Sequence, residues 1–282
     1  MANQTCNFQP STFNRSARWL CVFIAVIQLT ASAADSVWSR VVVIGASASA
    51  GFVLTEPFGG TNTARCKLHH YLDAAIAAPH APVKNLATAL FFLSPDAMAE
   101  HEVAAATNSQ PTLVVATDFL FWFCYGQGDS DAERAEHFEA GLHALEKIRC
   151  PLLVGDIPDA SSATNTGIIS AEQVPSEIAR LAANARLKKW AAKHPNVTLV
   201  PLAEFMRATK ADEEIKLHGI TLPAGKTRAF LQADGLHPNT RGAAVLALGV
   251  LEALVKAHPK MADNAVRWNT DDVLRGGLKS AR

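Results

Sequence analysis

RVVVIGASASAG, residues 40–51, decides the fold. Val41, Val42, Val43 and Ile44 follow one another with no polar alternation, as in a strand buried on both faces. The run then breaks into small residues, the signature of a tight strand-to-helix turn. Working outward, TLVVAT (112–117), PLLVG (151–155) and VTLVPL (197–202) repeat the apolar strand signal, and VKNLAT (83–88) gives a weaker version. Helical stretches lie between them. KLHHYLDAAIAA (67–78) spaces Leu68, Leu72, Ala75 and Ile76 along one face, and another helix starts near Ser94-Pro95, a serine cap with proline at the first position. DAERAEHFEAGLHALEKIR (131–149) opens acidic and closes basic, PSEIARLAANARLKKWAAKH (175–194) continues the series, and RGAAVLALGVLEALVKAH (241–258) ends it. Strands and helices in strict alternation predict a single doubly wound α/β domain over 40–258. Its mostly parallel, flavodoxin-like sheet carries helices on both faces, a three-layer α/β/α arrangement. Residues 259–282 read as a polar C-terminal tail, loosely attached at Gly276-Gly277.

The 282 residues, 49% hydrophobic and 18% charged, are ample to bury a core without disulfide or metal staples. Lys plus Arg and Asp plus Glu are 26 each, so no overall field draws a polyanion and nucleic acid is a poor partner. Residues 1–33 read as a signal peptide. Arg15 and Arg18 precede the apolar WLCVFIAVIQLTASA, which is short for a membrane span and exits through Ala31-Ser32-Ala33. An uncleaved anchor is the minority reading. Cleavage leaves a mildly acidic exported protein with no stable membrane span and with Cys66, Cys124 and Cys150, which permit one bridge or none. No cysteine or histidine spacing suits zinc. His69-His70 reads as solvated helix surface, and neither metal nor cofactor is expected. Oligomeric state is not legible.

Ligands of an open parallel sheet bind at the carboxyl ends of its strands. The first strand runs into Gly45-Ala46-Ser47, where a serine on a tight turn can expose its hydroxyl beside backbone N–H groups; taken alone, it reads first as a plain helix cap. Before the last helix stands DGLHPN (234–239). There Asp234, three residues ahead of His237, can orient one imidazole nitrogen and leave the other to take a proton from a nucleophile. Two such features on one sheet point to Ser-His-Asp chemistry.

These two blocks resemble those of the SGNH or GDSL-type hydrolases over roughly residues 40–258. GASASAGF (45–52) is similar to the family's Gly-Asp-Ser block, with Ser47 on the nucleophile, Gly51 on the later glycine and Ala46 in place of the aspartate; Ser49 does not match. DGLHPN places Asp234 and His237 on the orienting acid and the general base. NLATALFF (85–92) lacks the second-block glycine. The third block falls on Ala116-Thr117-Asp118-Phe119, with Asp118 where the family has its oxyanion-binding asparagine. The resemblance implies an ester hydrolase acting on a small-molecule or carbohydrate ester, with Gly45, Thr117 and Asp118 forming the oxyanion and substrate region. A carboxylate in that place would repel an oxyanion, so Asp118→Asn is expected to raise activity. The aromatic run Phe119 to Tyr125 reads either as a wall beside the site or as a core anchor, and Asp156 and Asp159 as cleft residues. An acyltransferase, or a silent extracytoplasmic binding protein on the same fold, are the competing readings.

Overall fold

The computed structural model describes Met1 and residues 36–126, 128, 130–260 and 263–282. The leader at 1–33 therefore lies, Met1 apart, outside the described residues. β1 (Val41–Val43), β2 (Lys84–Asn85), β3 (Leu113–Ala116), β4 (Leu152–Gly155) and β5 (Val197–Val200) form one parallel sheet in the order β2-β1-β3-β4-β5. Val42 pairs with Lys84 on one side and Val114 on the other, and Val154 with both Ala116 and Leu199. The helices are α1 (Ser47–Ala50), α2 (Thr61–Arg65), α3 (Leu68–Ala75), α4 (Pro95–Asn108), α5 (Phe121–Tyr125), α6 (Asp131–Leu145), α7 (Glu177–Ala191), α8 (Leu202–Lys210), α9 (Thr240–Ala257) and α10 (Thr270–Ser280). A small antiparallel hairpin, β6 (Ile215–Leu217) and β7 (Ile220–Leu222), lies between α8 and α9.

The pleat sorts the strand residues into two cores. Val41, Val43, Leu113, Val115 and Leu153 pack with Leu68 and Leu72 of α3 and the apolar face of α9. Val42, Ile44, Val114, Leu152 and Val154 pack with Ala99 and Val103 of α4, Phe138 and Leu142 of α6, and Leu187 of α7. Such strands can hold no polar residue on either side, so their sequences are continuous runs of valine and leucine. The strand order reverses between β1 and β3, which sets the crevice for a ligand at their carboxyl ends.

Residues 259–282 depart from the expected loose tail. Val273 of α10 is fully buried in the α3–α9 core, Val266 bridges to Ile76, and the Arg267 guanidinium donates to the carbonyls of Ala74 and Ile76. Gly276 and Gly277 are contact points rather than hinges. A side chain at Gly277 would overlap the Tyr71 ring, and one at Gly276 would overlap Ala74. Small residues here allow two helices to approach closely.

Candidate active site

The turn that carries Ser47 is built from glycine stereochemistry and two acids. Gly45 has φ +136°, a conformation that L side chains rarely adopt, and a Cβ there would overlap Asp118. Its N–H donates to Glu102 Oε2 of α4 at 2.7 Å, and its carbonyl accepts from Thr88 N–H at 3.0 Å. Ser47 then opens α1, which Gly51 closes in the left-handed conformation (φ +84°) with its N–H on the Ser47 carbonyl.

Asp118, just beyond β3, holds this turn from below. Its Oδ1 accepts from Ala46 N–H (3.0 Å) and Ser49 Oγ (2.6 Å), and its Oδ2 accepts from Ala48 N–H (2.8 Å) and Ser49 N–H (3.0 Å). This corrects the expectation of Asp118 as an occupant of the oxyanion site. Four donors from the α1 turn engage its two oxygens, so it serves as a side-chain cap for a helix that has none of its own. Ser49, fully buried, is tied to Asp118. Ser47 N–H makes no hydrogen bond among the described residues.

The second half of the site comes from the loop before α9. Gly235 (φ +66°) turns the chain, and Asn239 caps α9 by accepting from Gly242 N–H at 3.0 Å. Between them Asp234 Oδ1 accepts the N–H groups of Leu236 and His237, both at 2.9 Å. Asp234 Oδ2 lies 2.9 Å from His237 Nδ1, and His237 Nε2 lies 2.9 Å from Ser47 Oγ. With Nδ1–H on the carboxylate, Nε2 is free to accept from the serine hydroxyl. Asp234 and His237 are 4% and 2% exposed, which dries the relay. Burial pushes the Asp234 carboxyl up, but the His237 hydrogen bond and charge and the two N–H donors outweigh it, so its pKa lies below the ordinary value. The Phe52 ring lies against the imidazole, centroids 4.6 Å apart. Gln232 Nε2 fastens the loop by donating to the carbonyls of Phe52 (2.8 Å) and Pro238 (3.0 Å).

Beside Ser47 and His237 opens a narrow apolar cavity of about 50 Å³, walled by Phe121, Pro158, Leu202, Phe205, Met206 and Leu246. Thr117 also lines it, and its Oγ1 is buried without a hydrogen-bond partner. Of the aromatic run only Phe121 reaches this wall. Phe119, Trp122, Phe123 and Tyr125 are core, with Tyr125 Oη donating to the Pro158 carbonyl at 3.0 Å and accepting from Ala160 N–H. Asp156 and Asp159 do not line the cavity. Asp156 caps α8 by accepting from Ala203 N–H (2.6 Å), and Asp159 accepts from Ser161 N–H (2.9 Å).

Glu102 went unnoticed in the sequence. It is 1% exposed, its Oε1 accepts no hydrogen bond of good geometry, and burial, reinforced by the Asp118 charge, raises its pKa to about 8 against the pull of the Gly45 N–H. The available signal was its place in the buried stripe Ala99, Glu102, Val103, Ala106 of α4. His69 and His70 are half-buried, their rings 3.9 Å apart and tilted by 38°, rather than solvated, and burial, with His70 and Lys67 adding, presses the His69 pKa down to about 4. Cys66, Cys124 and Cys150 are free thiols, and burial raises the first two to about 11 and about 12. Among the described residues no three His, Cys, Asp or Glu side chains gather as a metal site would require, and no helix is long and apolar enough to cross a membrane.

A scan against protein-family models and a search of curated proteins both return no match. Among solved structures, the chain is similar to the lipase/acylhydrolase from Enterococcus faecalis, at 18% identity over 77% of this chain and 95% of that one, with a TM-score of 0.49. It is similar to TesA at 18% identity over 78% and 99%, TM-score 0.48, and to the protein YxiM from Bacillus subtilis at 16% identity over 78% and 56%, TM-score 0.44.

Proposed function

We propose that this chain is an exported serine esterase, a divergent SGNH-type hydrolase that cuts esters of short acyl groups. The reading rests above all on one observation, the continuous relay Ser47 Oγ–His237 Nε2 and His237 Nδ1–Asp234 Oδ2, each link 2.9 Å. Ser47 attacks the ester carbonyl while His237 takes the hydroxyl proton, and Asp234 holds the tautomer and stabilises the imidazolium. His237 then protonates the leaving alcohol. Water then attacks the acyl carbonyl while giving a proton to His237, and His237 returns that proton to Ser47 Oγ as the acid leaves. The oxyanion has two candidate donors, the Ser47 N–H, which donates to no group among the described residues, and the Thr117 hydroxyl, buried without a hydrogen-bond partner. The cavity supports the acyl preference: it holds on the order of four waters, about the volume of a two- to four-carbon chain. Export rests on the leader reading of residues 1–33.

Hydrolysis of p-nitrophenyl acetate, butyrate and octanoate, with fluorophosphonate labelling of Ser47, tests the proposal. Turnover should be fastest for the two short chains, and labelling should vanish in Ser47→Ala. No labelling and no turnover would overturn it.

A further inference from the structure

We propose that the cavity beside the catalytic loop, lined by Ser162, Lys210, Arg228 and Gln232, binds an anionic group, phosphate or carboxylate, on the alcohol half of the ester. The inference rests on the esterase reading and deepens it. The cavity measures about 380 Å³, and Leu231, Gln232, Ala233 and Gly235 of the loop that carries Asp234 and His237 form one wall. Leu231 lines this cavity and the narrow apolar one alike, so the two share a wall. On this proposal the apolar chamber at Ser47 takes the acyl chain and this larger chamber across the shared wall takes the alcohol half.

The charge of that second chamber is one-sided. Lys210 and Arg228 line it and no carboxylate does. The Lys210 ammonium is half-buried at the end of α8 and is held by the Asp159 carbonyl (2.7 Å) and Ser162 Oγ (2.9 Å), both neutral acceptors. Arg228 donates from one terminal nitrogen to the Lys210 carbonyl at 3.0 Å, again a neutral partner. The nearest acids belong to flanking turns. Asp212 Oδ1 accepts from Arg228 N–H and the Thr227 hydroxyl, and Asp159 Oδ1 from Ser161 N–H. Burial lowers the Lys210 pKa and the Arg228 charge adds to this, with Asp159 opposing. Two cations brought together at the edge of a catalytic cleft are electrostatically unfavourable until an anion joins them. A guanidinium fork, an ammonium and a serine hydroxyl are the donors that suit phosphate or carboxylate oxygens.

Three esters with one acyl group test this: 1-acetylglycerol, 1-acetylglycerol 3-phosphate and O-acetyl-lactate, followed by acetate release. The wild type should favour one or both anionic esters by about 10-fold or more in kcat/KM, as expected for a charged hydrogen bond. Arg228→Gln and Lys210→Gln should each bring that ratio toward one, and the better anionic ester tells phosphate from carboxylate. Equal rates for all three esters, or variants that keep the ratio, would overturn the proposal. Inorganic phosphate titrated calorimetrically into Ser47→Ala reads the cavity without turnover. Binding there that Arg228→Gln weakens supports the anion site even if no ester is cut, whereas absence of binding counts against the site and leaves the esterase reading standing.

Discussion

Glu102→Gln should remove a pH dependence that a buried acid imposes on this fold. In the unfolded chain the carboxyl loses its proton near 4.5, but in the folded chain burial delays that loss to about 8. Between those values the native state binds a proton that the unfolded state does not. The contribution of Glu102 is therefore most favourable below about 4.5, declines as pH rises, and levels off above about 8. Within the window each pH unit costs up to about 1.4 kcal/mol, or roughly 2–3 kcal/mol from pH 5 to 7. His69, neutral down to about 4 in the fold, slopes the opposite way between there and 6.5, and His70 and Asp156 shift as well, so the wild-type curve alone mixes several groups. The difference between wild type and variant isolates Glu102. Glutamine keeps an oxygen for the Gly45 N–H and never ionises. Urea unfolding followed by tryptophan fluorescence at pH 5, 6, 7 and 8 measures the effect. The variant's advantage should grow by roughly 2–3 kcal/mol from pH 5 to 7 with an unchanged m-value, and go on growing, less steeply, to pH 8. A difference independent of pH, or one that grows toward acid, would refute a protonated Glu102.

Ser47→Ala should abolish fluorophosphonate labelling while Ser49→Ala, which loses only a bond to Asp118, keeps it; gel fluorescence separates the two. In stopped assays on p-nitrophenyl acetate, His237→Ala should lose about 10⁵–10⁶ in kcat and Asp234→Asn about 10⁴. Thr117→Val, which deletes the hydroxyl and keeps the shape, should lower kcat about 10²–10³-fold, and Thr117→Ser should restore most of it. Asp118→Asn should lower activity and cost about 1–3 kcal/mol in urea unfolding, because an amide nitrogen then meets N–H donors; a gain in activity would return Asp118 to the oxyanion site.

The strands were legible because burial on both faces leaves no freedom in composition. β2 was the weakest signal for the complementary reason: Lys84 is exposed and Asn85 half-buried, so the strand has no buried face to fill with apolar residues. Ser47, Asp234 and His237 were readable as candidates because each relies on local turn chemistry, glycine before the serine and Asp-Gly-x-His within one loop. α8 was missed because its cap is not local. The Asp156 carboxylate that receives Ala203 N–H is 47 residues upstream, and the intervening sequence reads VTLVPL as strand to its end. Asp118 was misplaced for the same reason. Its position after β3 was legible, but its role is fixed by contacts with Ala46, Ala48 and Ser49 across a parallel pair of strands. Gly276-Gly277 misled because glycine signals both looseness and close packing, and only the neighbouring Tyr71 distinguishes them.

The two buried acids together explain how this turn works without an aspartate inside it. Ala46 stands where the Gly-Asp-Ser block of the resembling family carries its acid, so the acceptors must come from elsewhere: the Asp118 carboxylate from the end of β3, and the buried, protonated Glu102 from the middle of α4. Their donors follow one another along the chain. Gly45 N–H goes to Glu102, and the N–H groups of Ala46, Ala48 and Ser49 go to Asp118. The one amide skipped in that series belongs to Ser47. A short helix leaves its first N–H groups without partners and ordinarily spends them on water or on a cap. Here the cap takes every one except the amide of the residue proposed to attack. That amide is left with no protein acceptor among the described residues, on the residue whose hydroxyl would attack. Preorganisation of this kind requires no reorganisation when the charge appears. The same arrangement makes Gly45 intolerant of change, because a methyl group there would enter the space of the Asp118 carboxylate that imposes the pattern.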